Sequence, residues 1–163
     1  MKKFELTNEF ITNMFGTKLF RIRALVEFGD VEAGELGGYV EKESNLGHDD
    51  NAWVYDNAWV YGNARVCGDA LVCGDARVCG NGDYAYAHGF GSVNRTTTFF
   101  RLKDGGVGVR CGCFYGTLAQ FRDKIRETHG ETKKAQEYLM LADLMELRFE
   151  EDENEVGNRK YVE

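Results

Sequence analysis

A six-residue unit recurs five times without a gap over residues 51–80, reading NAWVYD, NAWVYG, NARVCG, DALVCG and DARVCG. Each unit opens on Asn or Asp, has Ala second and Val fourth, and closes on Gly, except the first, which closes on Asp56. A short fixed period means that each unit is one small element stacked on its neighbours. Ala and Val are two apart, so in an extended segment they point to one side. The residue between them (Trp53, Trp59, Arg65, Leu71 or Arg77) points to the other. The Gly-Asn and Gly-Asp junctions are turn chemistry, because Gly tolerates positive φ and Asn or Asp bonds nearby backbone. Each unit therefore predicts a very short strand and a bend, with Ala and Val inward. A helix is disfavoured: Val at spacing six does not form one helical stripe, and a Gly in every unit weakens it. Such a repeat builds a scaffold and carries no chemistry of its own.

The hexads resemble the hexapeptide repeat of left-handed parallel β-helices. Val54, Val60, Val66, Val72 and Val78 match that motif's aliphatic position, and Ala58, Ala64, Ala70 and Ala76 its small residue four places on. The residue after each Val departs from the family's small or acidic preference: it is Tyr55, Tyr61, Cys67, Cys73 or Cys79. The resemblance implies three hexads per triangular coil and coils stacked at about 4.8 Å. Even with the looser stretch 39–50 added, that gives little more than two coils. So short a prism has too little core alone and needs cover from the rest of the chain or from other subunits.

The remainder of the chain supplies such cover. Residues 20–28 (FRIRALVEF) alternate, with Phe20, Ile22, Ala24, Val26 and Phe28 on one face of a strand. Residues 84–94 read as a connector. Residues 96–102 and 107–113 are β-rich and flank Lys103-Asp104-Gly105-Gly106, which predicts a hairpin. Thr117 with Gln120 forms a capping box. A helix from Leu118 follows, with Leu118, Phe121 and Ile125 inward, and stops at Gly130. A second helix spans 132–149, with Tyr138, Leu141, Ala142, Met145 and Phe149 inward. The expected fold is mainly β with α: an N-terminal β cap (1–38), a short left-handed parallel β-helix (39–83) and a C-terminal ββαα module (84–163).

The formal net charge of −7 argues against general nucleic-acid binding through a basic surface. An acidic stretch over 143–155 reads as a solvated tail, with mimicry of nucleic-acid charge as the sharper alternative. Met1-Lys2-Lys3 leads into no apolar segment of signal-peptide or membrane-span character. The odd cysteine count fits a reduced, cytosolic protein. Cys67, Cys73 and Cys79 sit one hexad apart, poorly placed to share a metal. Cys111 and Cys113 pack as alternate strand residues, and no CxxC pair supports zinc. Neither a metal nor a cofactor is expected.

A second resemblance rests on residues 37–46 (GGYVEKESNL), the hexads and the module 98–129. Together they are similar to uncharacterised accessory proteins of phages and prophages. That implies phage origin and a location in the host bacterial cytoplasm, but assigns no activity. The β-helix resemblance implies one enzyme class, acyl transfer, which uses a histidine general base. His48 and His88 fall in expected loops, with Asp49 or Asp50 available to orient His48. His129 at a helix C-terminus is explained by the helix dipole. No phosphate loop or paired-carboxylate signature is present.

The candidate binding cluster is basic and aromatic: Arg95, Phe99, Arg101, Lys103, Arg110 and Tyr115 on the hairpin and just beyond it. Arginine forks match phosphate oxygens, and aromatic rings offer stacking faces. The plainer reading makes the aromatics core and the arginines solvated. Trp53, Trp59 and Tyr61 are expected outward, as a homo-oligomer interface, with a trimer favoured and a dimer second. The functional expectation is a non-enzymatic, phage-encoded binding protein that sequesters a host nucleotide signal. The alternatives are direct inhibition of a host defence protein, a small acyltransferase and a structural phage component.

Overall fold

The computed structural model describes residues 1–150. The chain opens with an antiparallel hairpin, β1 (Phe4–Thr12) and β2 (Lys18–Ala24), followed by β3 (Leu36–Val40). The hexads contribute four two-residue strands: β4 (Trp53–Val54), β5 (Trp59–Val60), β6 (Leu71–Val72) and β7 (Arg77–Val78). The third hexad contributes only a bridge between Val66 and Leu46. Strands β8 (Tyr84–Phe90), β9 (Arg95–Arg101), β10 (Val107–Cys111) and β11 (Phe114–Thr117) then lead into helices α1 (Leu118–His129) and α2 (Lys133–Phe149).

The expected left-handed parallel β-helix is not the observed fold. The described chain is mainly β with two helices, and its sheets are mixed and antiparallel. One sheet has five strands in the order β1-β2-β3-β5-β7, a second has four in the order β11-β10-β9-β8, and β4 pairs with β6 alone. The reason lies in strand length. A hexad offers two ladder residues, whereas β1, β2 and β3 offer longer antiparallel edges. β3 pairs antiparallel with β2 and parallel with β5, so the hexads join an existing sheet. The period still sets local register: Trp53 lies opposite Leu71 and Trp59 opposite Arg77, three hexads on. β3 also runs across the expected boundary between residues 38 and 39.

The inward pattern of the hexads holds. Val54, Val60, Val66, Val72 and Val78 are fully buried, together with Ala52, Ala58, Ala64, Ala70 and Ala76. They share one core with Phe4, Ile22, Val40, Leu46 and Phe100. The supposed connector 84–94 is largely strand β8, because Tyr84 and the residues after it pair with β9. The C-terminal unit is thus a four-stranded antiparallel sheet under two helices rather than ββαα.

A second core lies between that sheet and the helices. Phe99 and Val109 meet Phe121, Ile125, Tyr138 and Phe149 there. The Thr117 hydroxyl accepts from the Gln120 amide and the Gln120 side chain returns to the Thr117 amide, starting α1 as its sequence dictates. Strand alternation divides β9 and β10 between the two cores. Phe99 of β9 and Val109 of β10 face the helices, whereas Thr98 and Phe100 face the hexads: the Leu71 amide donates to the Thr98 hydroxyl at 3.0 Å.

Candidate functional site

The predicted binding cluster does not come together as one site: its six residues fall into three groups. Phe99 is fully buried, its ring edge-on to Phe121 at 6.0 Å. Arg101 is 7% exposed and fastens the sheet to the end of α2. Its Nη1 donates to the carbonyls of Gly105 and Phe149 at 3.1 and 3.0 Å, and its guanidinium lies over the Phe149 ring. Phe99 is closed to a ligand, and Arg101, which lines a hollow beside the β9–β10 turn, is held by these contacts. Lys103 and Tyr115 both converge on Asp75. The Lys103 ammonium is 4.0 Å from its carboxylate, and the Tyr115 hydroxyl accepts from its amide at 3.3 Å. Only Arg95 and Arg110 meet at a common hollow.

That hollow is an open cleft of about 440 Å³ between the hexads and the four-stranded sheet. It is lined by Gly29–Val31, by Asn51, Tyr55, Asp69 and Leu71 of the hexads, and by His88, Arg95, Thr96 and Arg110 of the four-stranded sheet. Arg95 starts β9, and its guanidinium lies against the backbone of Gly112, where any β-carbon would collide with it. Arg110 is half-buried, with its guanidinium carbon 4.5 Å from the Tyr55 ring centroid. Its Nε is buried without a hydrogen-bond partner among the described residues. Such an N–H is costly to leave unpaired. The His88 Nδ1 is 2.8 Å from the Thr96 hydroxyl.

The electrostatics are mixed. Arg95 and Arg110 favour an anion, while Asp30 and Asp69 offer acceptors to hydroxyl or amino groups. Burial raises the Tyr55 hydroxyl above its ordinary value, and Arg110 opposes the shift. Burial likewise pushes the Cys73 thiol up to about 11, against the pull of the neighbouring Arg110. At neutral pH Cys73 is therefore a thiol rather than a nucleophilic thiolate. A hollow of about 540 Å³ beside the β9–β10 turn is larger, but its rim carries Asp104, Glu146 and Glu150. Those carboxylates repel an anion.

The histidine weighed as a general base has a structural partner. The Lys3 amide donates to His48 Nδ1 at 3.1 Å, and the imidazole stacks on Phe4 at 4.3 Å. The Asp50 carboxylate does not orient His48. It accepts from the Lys3 ammonium and from the amides of Ala52 and Gly68. His129 stacks on Tyr138 at the end of α1.

The aromatic interface predicted from the hexads is also corrected. Trp53 is fully buried, packed against Phe4 and Phe28. Tyr61 is 6% exposed and clusters with Leu19 and Tyr39. Trp59 is half-buried, with the Arg77 guanidinium 3.8 Å from its ring centroid. These side chains point away from the hexad interior, as alternation requires, but elements of the same chain cover them.

No protein-family model matches the chain, and no curated protein matches it significantly. Among the described residues no helix is long and apolar enough to cross a membrane.

Proposed function

We propose that this chain is a non-enzymatic binding protein whose cleft captures a phosphate-bearing small molecule of nucleotide type. The observation that carries the reading is the convergence of Arg95 and Arg110 on one cleft, with Tyr55 beside them. Two guanidinium forks suit phosphate oxygens, and their planar geometry gives direction as well as charge. Asp30 and Asp69 on the same cleft suit the donors of a ribose or a base. The unpaired Arg110 Nε is one further donor that a bound anion would engage after a small side-chain shift. The resemblance to phage accessory proteins implies an infected bacterial cytoplasm as the setting, and the reading proposed for that setting is counter-defence by withdrawal of a host nucleotide signal.

The test is a capture-and-release experiment. The protein is mixed with cyclic nucleotides, cyclic dinucleotides or ADP-ribose derivatives, freed of unbound ligand, denatured by heat, and the small molecule recovered. Intact, stoichiometric recovery that weakens in Arg95→Ala and Arg110→Ala supports sequestration. A chemically altered product would assign an enzyme instead. Failure to capture any nucleotide would overturn the reading in favour of direct inhibition of a host protein.

A further inference from the structure

The cleft between the hexads and the four-stranded sheet is not a purely basic cradle. Two guanidiniums line it, Arg95 and Arg110, and so do two carboxylates, Asp30 and Asp69. Opposite charges in one cleft can close into ion pairs, and these do not. Among the described residues neither carboxylate has a hydrogen-bond or ion-pair partner. The arginines are held elsewhere. Arg95 rests against the backbone of Gly112, and Arg110 lies over the Tyr55 ring with the Cys73 thiol beside it. Both signs of charge therefore stay open to a ligand.

The fold does not demand these carboxylates. Asp30 is exposed in the segment between β2 and β3. Asp69 opens the fourth hexad, a place that Asn51, Asn57 and Asn63 fill in the first three. Asn51 lies three hexads before Asp69 and lines the same cleft. The cleft thus meets this position of the repeat once as a neutral amide and once as a carboxylate, and the turn accepts either. Tyr55 in the same lining senses both signs: burial raises its hydroxyl first, Arg110 lowers it, and Glu35 and Asp30 raise it again.

One phosphate group matches the two arginine forks, and the hydroxyl or amino donors of the same ligand match the carboxylates. Further phosphates find no match, because no lysine and no third arginine lines the cleft. At about 440 Å³ the cleft is near the low end of the roughly 300–1,000 Å³ usual for small-molecule sites. Added phosphates therefore face Asp30 and Asp69 or stay in solvent. Like charges set against each other are a means of rejecting the wrong partner. We infer that Asp30 and Asp69 restrict the cleft to ligands carrying a single phosphate, by repelling polyphosphates. The inference rests on the nucleotide reading of the cleft and adds the number of phosphates it accepts.

The test is calorimetric titration of the full chain with adenosine mono-, di- and triphosphate, and with the guanosine series, in buffer free of divalent cations. A basic cradle would gain affinity with each phosphate added. Here the affinity is expected to fall along the series, with the triphosphate at least about tenfold weaker than the monophosphate. Asp30→Asn and Asp69→Asn should each narrow that ratio by about three- to tenfold, and the double variant should narrow it further. Thermal melting checks that the variants keep the fold. A loss of structure alone would weaken mono- and triphosphate together and leave the ratio unmoved. A triphosphate that binds the wild type as tightly as the monophosphate, or a ratio unmoved in the folded double variant, would overturn the inference while the nucleotide reading stands. Binding of none of the six nucleotides would overturn both.

Discussion

The guanidinium of Arg110 lies over the ring of Tyr55, 4.5 Å from its centroid, and joins strand β10 to the turn of the first hexad. Arg110 thus has two tasks. It holds the sheet on the hexads through the cation–π contact and through the Cys73 thiol beside it, and it presents charge to the cleft. Arg95 has the second task but is exposed at the strand's start.

This difference separates stability from binding. Arg110→Ala should destabilise the fold by about 1–2 kcal/mol, from the lost cation–π contact and side-chain packing. Arg95→Ala should stay within about 0.5 kcal/mol of wild type. Both should weaken nucleotide capture by about ten- to a hundredfold, the worth of one charge-assisted contact. Arg110→Lys should recover part of the stability without the capture, because an ammonium lacks the planar fork. Denaturant titration and equilibrium dialysis on the same samples check all three.

Trp53 offers a second test, because its burial within one chain replaces the expected subunit contact. Trp53→Ala removes a fully buried indole between Phe4 and Phe28 and should cost about 3–5 kcal/mol. Light scattering of the folded fraction should return an unchanged mass. A smaller species at unchanged stability would restore the interface reading.

What the sequence made legible follows from the range of the interactions involved. The inward Val and Ala of the hexads, the β9–β10 hairpin and the Thr117–Gln120 cap depend on neighbours within a few residues, and each is present. What covers Trp53 depends on β1 and β2, tens of residues away, and strand β1 has no clean alternation to announce it. The site was partly legible. Period-two alternation along β9 and β10 assigns Phe99 to one face and Arg110 to the other, a division that the basic and aromatic cluster taken whole conceals. The hexad contributions of Tyr55 and Asp69, and the reach of Gly29–Val31 to the cleft, are set by tertiary packing and carry no local signal.

Cysteine burial gives a pH test. The Cys73 thiol rises from 9.0 to about 11 in the fold, chiefly by desolvation. Above pH 9 the unfolded chain loses this proton while the folded chain keeps it, so stability falls as pH climbs toward 11. A rise of that size corresponds to roughly 3 kcal/mol at most. Burial raises Tyr84 and Tyr138 as well, which extends the decline to higher pH. Lys3 acts oppositely: burial lowers it below 10.5, so its contribution to stability rises through the window just under that value. Cys73→Ala should lose some stability at neutral pH and show a shallower decline between pH 9 and about 11. A parallel pair of curves would show that Cys73 does not titrate as described.

The closing residue of the hexad carries the last prediction. Gly74 has φ +64, and the Tyr115 hydroxyl occupies the space a β-carbon would need. Asp56 holds the corresponding place in the first hexad at φ 57, and its carboxylate accepts from the Gly74 amide at 3.2 Å. One position is thus forbidden to a side chain twice over, and the other is tolerated because Asp reaches the left-handed region and gains a hydrogen bond. Gly74→Ala should cost about 2–3 kcal/mol: about 1–2 for positive φ and the rest for the displaced tyrosine. Adding Tyr115→Ala should remove the collision but leave the backbone term. The double variant should therefore be more stable than the sum of the single costs implies, by about 0.5–1 kcal/mol or more. Asp56→Gly should be close to neutral, since relief of the positive φ offsets the lost contact, while Asp56→Ala loses the contact and keeps the strain. Equal costs for Asp56→Gly and Asp56→Ala would show that the backbone at this place is not the constraint. Additive effects of Gly74→Ala and Tyr115→Ala would show that the tyrosine does not sit on the turn.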